Sequence, residues 1–140
     1  MPIEIDDVML NKAAIIERCV KRIHEEYAAN PALDNYTHVD AMTLNIERAC
    51  QACIDLAMHL ISAHRLGMPQ SSSDAFALLT QNHLIDKKLE MTMRAMTGFR
   101  NIAVHQYQTL DMEILKYIAE SGWRDFQAFC RKLGLRIIDR

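Results

Sequence analysis

Glycine and proline are scarce in this sequence, four and three in 140 residues. Their scarcity excludes collagen-like and low-complexity chains and leaves little room for the turns of a β-sandwich. Aromatic residues make up only 6%. No apolar run approaches the roughly 20 residues of a membrane-spanning helix. Neither sign of charge dominates: the net charge is -2 and the sequence pI is near 6.3. That balance argues against a broad, non-specific polyanion binder but leaves room for a small local cluster of Arg and His. The N-terminus, MPIEIDDVML, lacks the basic start and apolar stretch of a secretory signal. The four cysteines, Cys19, Cys50, Cys53 and Cys130, are therefore expected as reduced thiols in a cytoplasmic protein with no membrane partner.

What is present is an ordinary apolar half and nine methionines, whose flexible thioethers suit helix-on-helix packing. The length fits one domain over residues 1–140. Five segments carry helical periodicity. The first starts at Asp6 or Asp7 and ends at Asn30-Pro31, with Val8, Ile15, Ile16, Cys19 and Ile23 on one face. The second runs from about His38 to Leu66, with Gly67 placed to end it. Ile46, Cys50, Cys53, Ala57, Leu60 and His64 form its apolar stripe; Arg48, Gln51, Asp55, His59 and Ser62 lie opposite. Ser71 to Asp74 offer caps for a short third helix to about Thr80. The fourth starts near Ile85 and includes MTMRAMTGFRNIAVHQY, where Gly98 suggests a close helix–helix approach. Asp111 opens another helix, interrupted at Ser121-Gly122, before a last segment from Trp123 to about Leu133. Short connections between long helices predict an all-α antiparallel bundle of about five helices.

Chemistry concentrates in Gly98-Phe99-Arg100-Asn101-Ile102-Ala103-Val104-His105-Gln106-Tyr107. On a wheel with Arg100 at zero, Asn101 falls near 100°, His105 near 140° and Tyr107 within about 20° of Arg100. Phe99, Ile102 and Ala103 fall opposite, with Thr92, Ala95 and Met96. The expectation is that the apolar side packs inward while Arg100, Asn101, His105 and Tyr107 project outward together. Each of the four offers a hydrogen-bond donor, and none is anionic near neutral pH. Spacing alone favours the plainer reading, a solvated face or a cap at the helix end.

The pattern Arg-x-x-x-x-His-x-Tyr, filled by Arg100, His105 and Tyr107, resembles the signature of HEPN-domain ribonucleases, and more narrowly the HepT-like toxins. The likeness runs from about Ala41 to Tyr107, through Ala52-Cys53-Ile54-Asp55-Leu56-Ala57-Met58-His59, Leu66-Gly67-Met68-Pro69, Asp74-Ala75-Phe76 and Met96-Thr97-Gly98-Phe99-Arg100-Asn101. The resemblance implies a HEPN-like fold that forms a homodimer with its two motifs in a shared cleft. It implies a toxin that cuts RNA without metal, with Arg100 and His105 as the catalytic pair. It also implies an MntA-like nucleotidyltransferase antitoxin that adds AMP to the motif tyrosine, here Tyr107. Asn101 and Asp55 are the expected supporting residues, Asp55 by orienting Arg100 or His105; His59 is a weaker candidate.

The alternative function is a non-catalytic helical dimer that binds a nucleotidyltransferase or a nucleotide through Arg100 and His105. No cofactor or metal is expected. Cys50-x-x-Cys53 has no second pair and lies in an apolar stripe, so core packing is its reading. The chain has no Glu-x-x-His motif of the kind a di-iron bundle uses. Trp123, Phe126 and Phe129, three apart, are expected in the core, and His64 in the core or an interface.

Overall fold

The computed structural model describes residues 3–105 and 110–137, apart from the side chains of Val104 and His105. Its elements are α1 (Asp7–Ala29), α2 (Tyr36–His64), α3 (Ser72–Gln81), α4 (Lys87–His105), α5 (Met112–Tyr117), a π turn (Ile118–Gly122) and α6 (Trp123–Lys132). The last three run on without a break, so the described chain holds five helical rods and no strand. Ser121-Gly122, expected as an interruption, instead carries this π turn: the backbone shifts to wider hydrogen bonds and continues.

Local polar side chains start the helices. Asp6 accepts from the Met9 amide, Ser71 from Asp74 and Asp111 from Glu113. Asp86 does the same for α4 through the Leu89 amide at 2.7 Å. Helix α1 ends at Asn30, just before Pro31. Helix α2 ends two residues earlier than expected, at a left-handed Arg65 (φ 54°). Gly67 shapes the turn that follows (φ 138°). A Cβ there would come within 2.9 Å of Leu78, so the turn packs down on α3 through a position that only glycine fills.

Helices α1 and α2 form an antiparallel hairpin. Three cross-helix contacts fix its register: Asp6 with His59, Lys12 with Asp55, and Glu26 with His38. Helix α4 packs on α2 and α3, and α6 closes against α1, α2 and α4. The buried apolar residues form one continuous cluster. Ile46, Cys50, Cys53, Ala57 and Leu60 of α2 are all inside it, as are Trp123, Phe126 and Phe129 of α6. Phe76 and Phe129 meet edge to face with ring centroids 5.6 Å apart. Gln127 donates to the Ile137 carbonyl and ties the C-terminal stretch, with buried Leu135 and Ile137, to the bundle.

Two expectations on these helices need correction. On α1 the buried residue of the first turn is Met9, while Val8 is exposed. His64 is exposed at the last residue of α2, because the helix has passed the end of the core there, which removes the core half of its expectation.

Candidate active site

Helix α4 positions the motif. Its buried residues are Glu90, Met93, Met96, Thr97, Phe99 and Ala103. They centre on the wheel position of Arg100 itself, so Arg100 continues the inward stripe Met93–Met96–Arg100–Ala103 at three- and four-residue steps. This corrects the outward placement expected from sequence. Ile102 and Ala95, expected inside, are exposed.

Arg100 is half-buried. Its Nε is shielded from solvent and has no hydrogen-bond partner among the described residues. Its Nη1 donates to Asn101 Oδ1 at 3.3 Å, which draws the guanidinium from the core-facing stripe round to the flank where Asn101 is exposed. No described carboxylate pairs with it. The charge also reaches α2. Burial pushes the Cys50 thiol up to about 12, and the Arg100 cation partly opposes that rise. A desolvated guanidinium without a carboxylate is costly unless an anion meets it, and its planar fork matches phosphate oxygens.

The other site expectations divide. Asn101 touches Arg100, as described. His105 is the last residue of α4, about 7 Å further along the axis than Arg100 at about 1.5 Å per residue; its side chain lies outside the description. Tyr107 lies outside the described residues. Asp55 is bonded elsewhere among the described residues: its carboxylate accepts from Lys12 Nζ at 3.3 Å and Gln51 Nε2 at 2.8 Å, on the boundary of α1 and α2. His59 Nε2 sits 2.6 Å from Asp6 Oδ2 on the same boundary. The hairpin register, which no local pattern in α2 reveals, decides both partnerships.

Cys50 and Cys53 are buried, free thiols. Burial also drives the Cys53 thiol well above its ordinary range. Both act as packing groups, with the Cys50 thiol donating to the Met96 carbonyl of α4 at 3.5 Å. Among the described residues no group of His, Cys, Asp and Glu is arranged to hold a metal ion.

Sequence reasoning missed one feature beside the motif. The outer face of α4 is apolar too: Met91, Ala95, Gly98 and Ile102 are all exposed. Ala95, Gly98 and Ile102 border a groove of about 670 Å³ between α4 and α5, whose lining includes Ile114 and Tyr117. The spacing was readable, but one apolar stripe had been assigned to the interior and the second merged with it. A Cβ at Gly98 would meet nothing within 4 Å among the described residues, so the close approach expected there is not seen among them.

The family profile described as ribonuclease HepT-like matches residues 9–133. The chain belongs to the ribonuclease HepT-like family. The match extends past both ends of the stretch that carries the resemblance in sequence. Among HepT-like relatives, the mRNA nuclease HepT of Shewanella oneidensis is 42% identical over 126 residues, which cover 89% of this chain and 95% of that protein. The tRNA nuclease HepT of Aphanizomenon flos-aquae is 24% identical over 119 residues, covering 82% and 81%. A tri-AMPylated Shewanella oneidensis HEPN toxin, solved in complex with its MNT antitoxin, superimposes with a TM-score of 0.88 at 40% identity, covering 93% of this chain and 98% of that one. A toxin–antitoxin structure with AMP-PNP also gives 0.88 at 40% identity, covering 92% and 98%. The all-α HEPN-like fold implied by the motif is thus the fold of this chain.

Proposed function

We propose that this chain is the toxin of a toxin–antitoxin pair and cuts RNA as a homodimer, with Arg100 and His105 as its catalytic residues. The observation that carries this is the Arg100 guanidinium, half-buried at the end of α4 and bonded only to Asn101 among the described residues. Such a group is built to receive an anion, and a phosphodiester supplies one. The HepT-like relatives, an mRNA nuclease and a tRNA nuclease by name, support RNA as the source.

The chemistry follows from the side chains. An imidazole can accept a proton near neutral pH, and that of His105 takes the proton of the substrate's 2′-hydroxyl. The 2′-oxygen attacks phosphorus, and Arg100 stabilises the charge on the non-bridging oxygens. The bond to the 5′-oxygen breaks, and that oxygen takes a proton from a second imidazole. The products end in a 2′,3′-cyclic phosphate and a 5′-hydroxyl. In-line displacement sets the entering 2′-oxygen and the leaving 5′-oxygen on opposite sides of phosphorus, so one imidazole does not reach both, and a two-fold symmetric dimer supplies the second. Asn101 holds the guanidinium in place.

Tyr107 is the acceptor of AMP. Its hydroxyl oxygen attacks the α-phosphorus of ATP on the nucleotidyltransferase antitoxin, and pyrophosphate leaves. The added phosphate occupies Arg100 and blocks RNA. The tri-AMPylated relative bound to its antitoxin supports this route. Four free thiols suit the cytoplasm, and none of the described helices is long and apolar enough to cross a membrane.

The test is cleavage of defined RNAs in EDTA by wild type and by His105→Ala, with end-group analysis. Cyclic phosphate ends from wild type alone support the reading. Loss of cutting under chelation, or equal cutting by the variant, overturns it. For the modification, Tyr107→Phe is expected to lose all label from ATP in the presence of the antitoxin. Retained label would assign the acceptor elsewhere.

A further inference from the structure

The geometry points to the groove between the start of α4 and the end of α6 as a second hold on RNA, one that grips the phosphate backbone of the substrate strand away from the cut. This rests on the nuclease reading above and deepens it. The reacting phosphodiester meets Arg100, and the strand beyond it is held here.

The groove encloses about 550 Å³. Lys88 of α4 lines one wall, and Arg131 and Lys132 of α6 line the other. All three are exposed, and none pairs with a carboxylate among the described residues. Other cations of the bundle are paired: Lys12 meets Asp55, Arg22 meets Glu26, and Arg94 meets Glu90. Cations in the last turn of a helix suit its negative end, which accounts for Arg131 and Lys132 taken alone. Lys88 lies in the first turn of α4, where the positive end of a helix disfavours a cation. Local helix physics therefore leaves unexplained why it faces the other two.

Two carboxylates share the groove. Asp86 turns one oxygen to the amides of α4 as their cap, and Asp125 is half-buried. Three cations against two carboxylates leave a local positive excess on a chain whose net charge is -2. A second hollow of about 460 Å³ meets the first at Asp86 and Lys132 and brings in His83, which is exposed and offers a further N–H donor. Joined, the two make a trough rather than a point site.

The separation from the motif suits a strand. Lys88 precedes Arg100 on α4 by about 18 Å, at about 1.5 Å per residue. One nucleotide does not span that, whereas a run of about five stacked nucleotides does, at about 3.4 Å each. Side chains that track a backbone read no bases; they add affinity that salt weakens.

The test variant is Lys88→Gln/Arg131→Gln/Lys132→Gln in the full chain, expected to melt as wild type does because all three side chains are exposed. The probe is a single-stranded 2′-O-methyl RNA of mixed sequence and about 20 nucleotides, which has no free 2′-hydroxyl to react, read by fluorescence anisotropy at rising salt. The variant is expected to bind about tenfold more weakly or worse. Its slope of log affinity against log salt is expected to be shallower by about 2, at about 0.7 for each of three phosphates. For cutting of the unmodified strand, KM rises by the same factor while kcat holds, and a dinucleotide is cut as by wild type. Lys88→Arg/Arg131→Lys/Lys132→Arg, which keeps the charges, is expected to retain the affinity. Unchanged affinity and slope in the Gln variant overturn the groove, as does an equal loss on the dinucleotide. Unchanged RNA binding with antitoxin binding lost makes the groove a protein contact and overturns it too. A wild type that binds the strand through these residues but cuts no RNA overturns the nuclease and leaves the groove standing. A wild type that binds no RNA overturns both.

Discussion

Helices α2 and α4 both carry apolar residues at helical spacing but differ in how they use them. The apolar residues of α2 form one broad buried face, with even its Cys50 and Cys53 sealed in the core. Helix α4 has two apolar faces, one buried through Met93 and Met96 and one exposed through Met91, Ala95, Gly98 and Ile102. Arg100 belongs to the buried face, and Asn101 lies on the flank between the two. One helix holds the fold together. The other carries the half-buried Arg100 cation between the chain's own core and an exposed apolar face.

That contrast can be broken most directly at the motif. Arg100→Ala and His105→Ala are each expected to lower RNA cleavage about 10²–10⁴-fold, with the melting of the fold little changed; activity in either variant would remove the functional half of the contrast. The structural half is tested in α2. Leu56 is fully buried, and Leu56→Ala is expected to destabilise the chain by about 3 kcal/mol in urea unfolding.

A smaller effect comes from the inner face of α4. Glu90 is buried, which pushes its carboxyl up, but hydrogen bonds from Thr80, Arg94 and Lys87 outweigh burial and hold it below its ordinary value. A depressed carboxylate contributes stability that is present above the unfolded value near 4.5 and lost as pH falls through the folded one. Glu90→Gln is expected to cost about 1–2 kcal/mol at pH 7, with a narrower gap from wild type when melting is repeated below pH 4. The smallest effect is expected at Asp55. Its half-exposed pairing with Lys12 is worth about 0.2–1 kcal/mol, and Asp55→Ala is expected to leave RNA cleavage within twofold. A larger loss of cleavage would return Asp55 to the motif.

How much of this was readable beforehand follows from the range of each interaction. Caps at Asp6, Ser71 and Asp111 act within three residues, so the starts of α1, α3 and α5 were visible in sequence. The core role of Trp123, Phe126 and Phe129 was visible too, since aromatics at helical spacing have little alternative. What failed was phase and partnership. A wheel ranks faces by polarity, and Arg100 was sent outward because it is charged. Its long stem allows it to start inside the stripe and place its head group at the flank. The resemblance places Asp55 beside the motif, while the α1–α2 register brings Lys12 to it. His38, without a visible partner in sequence, meets Glu26 of α1 at 2.6 Å by the same register. Local physics fixes where helices begin; only their pairing fixes which polar groups meet.

The sulfur atoms of Cys19, Cys50, Cys53 and Cys130 give the chain an internal stopwatch. All four are buried and uncrosslinked, and burial keeps every one protonated at neutral pH, those of Cys50 and Cys130 up to about 12. A maleimide or aromatic disulfide reagent therefore waits for the bundle to breathe. The rate at which such a reagent is consumed counts openings of the native state, helix by helix, with no label added to the protein.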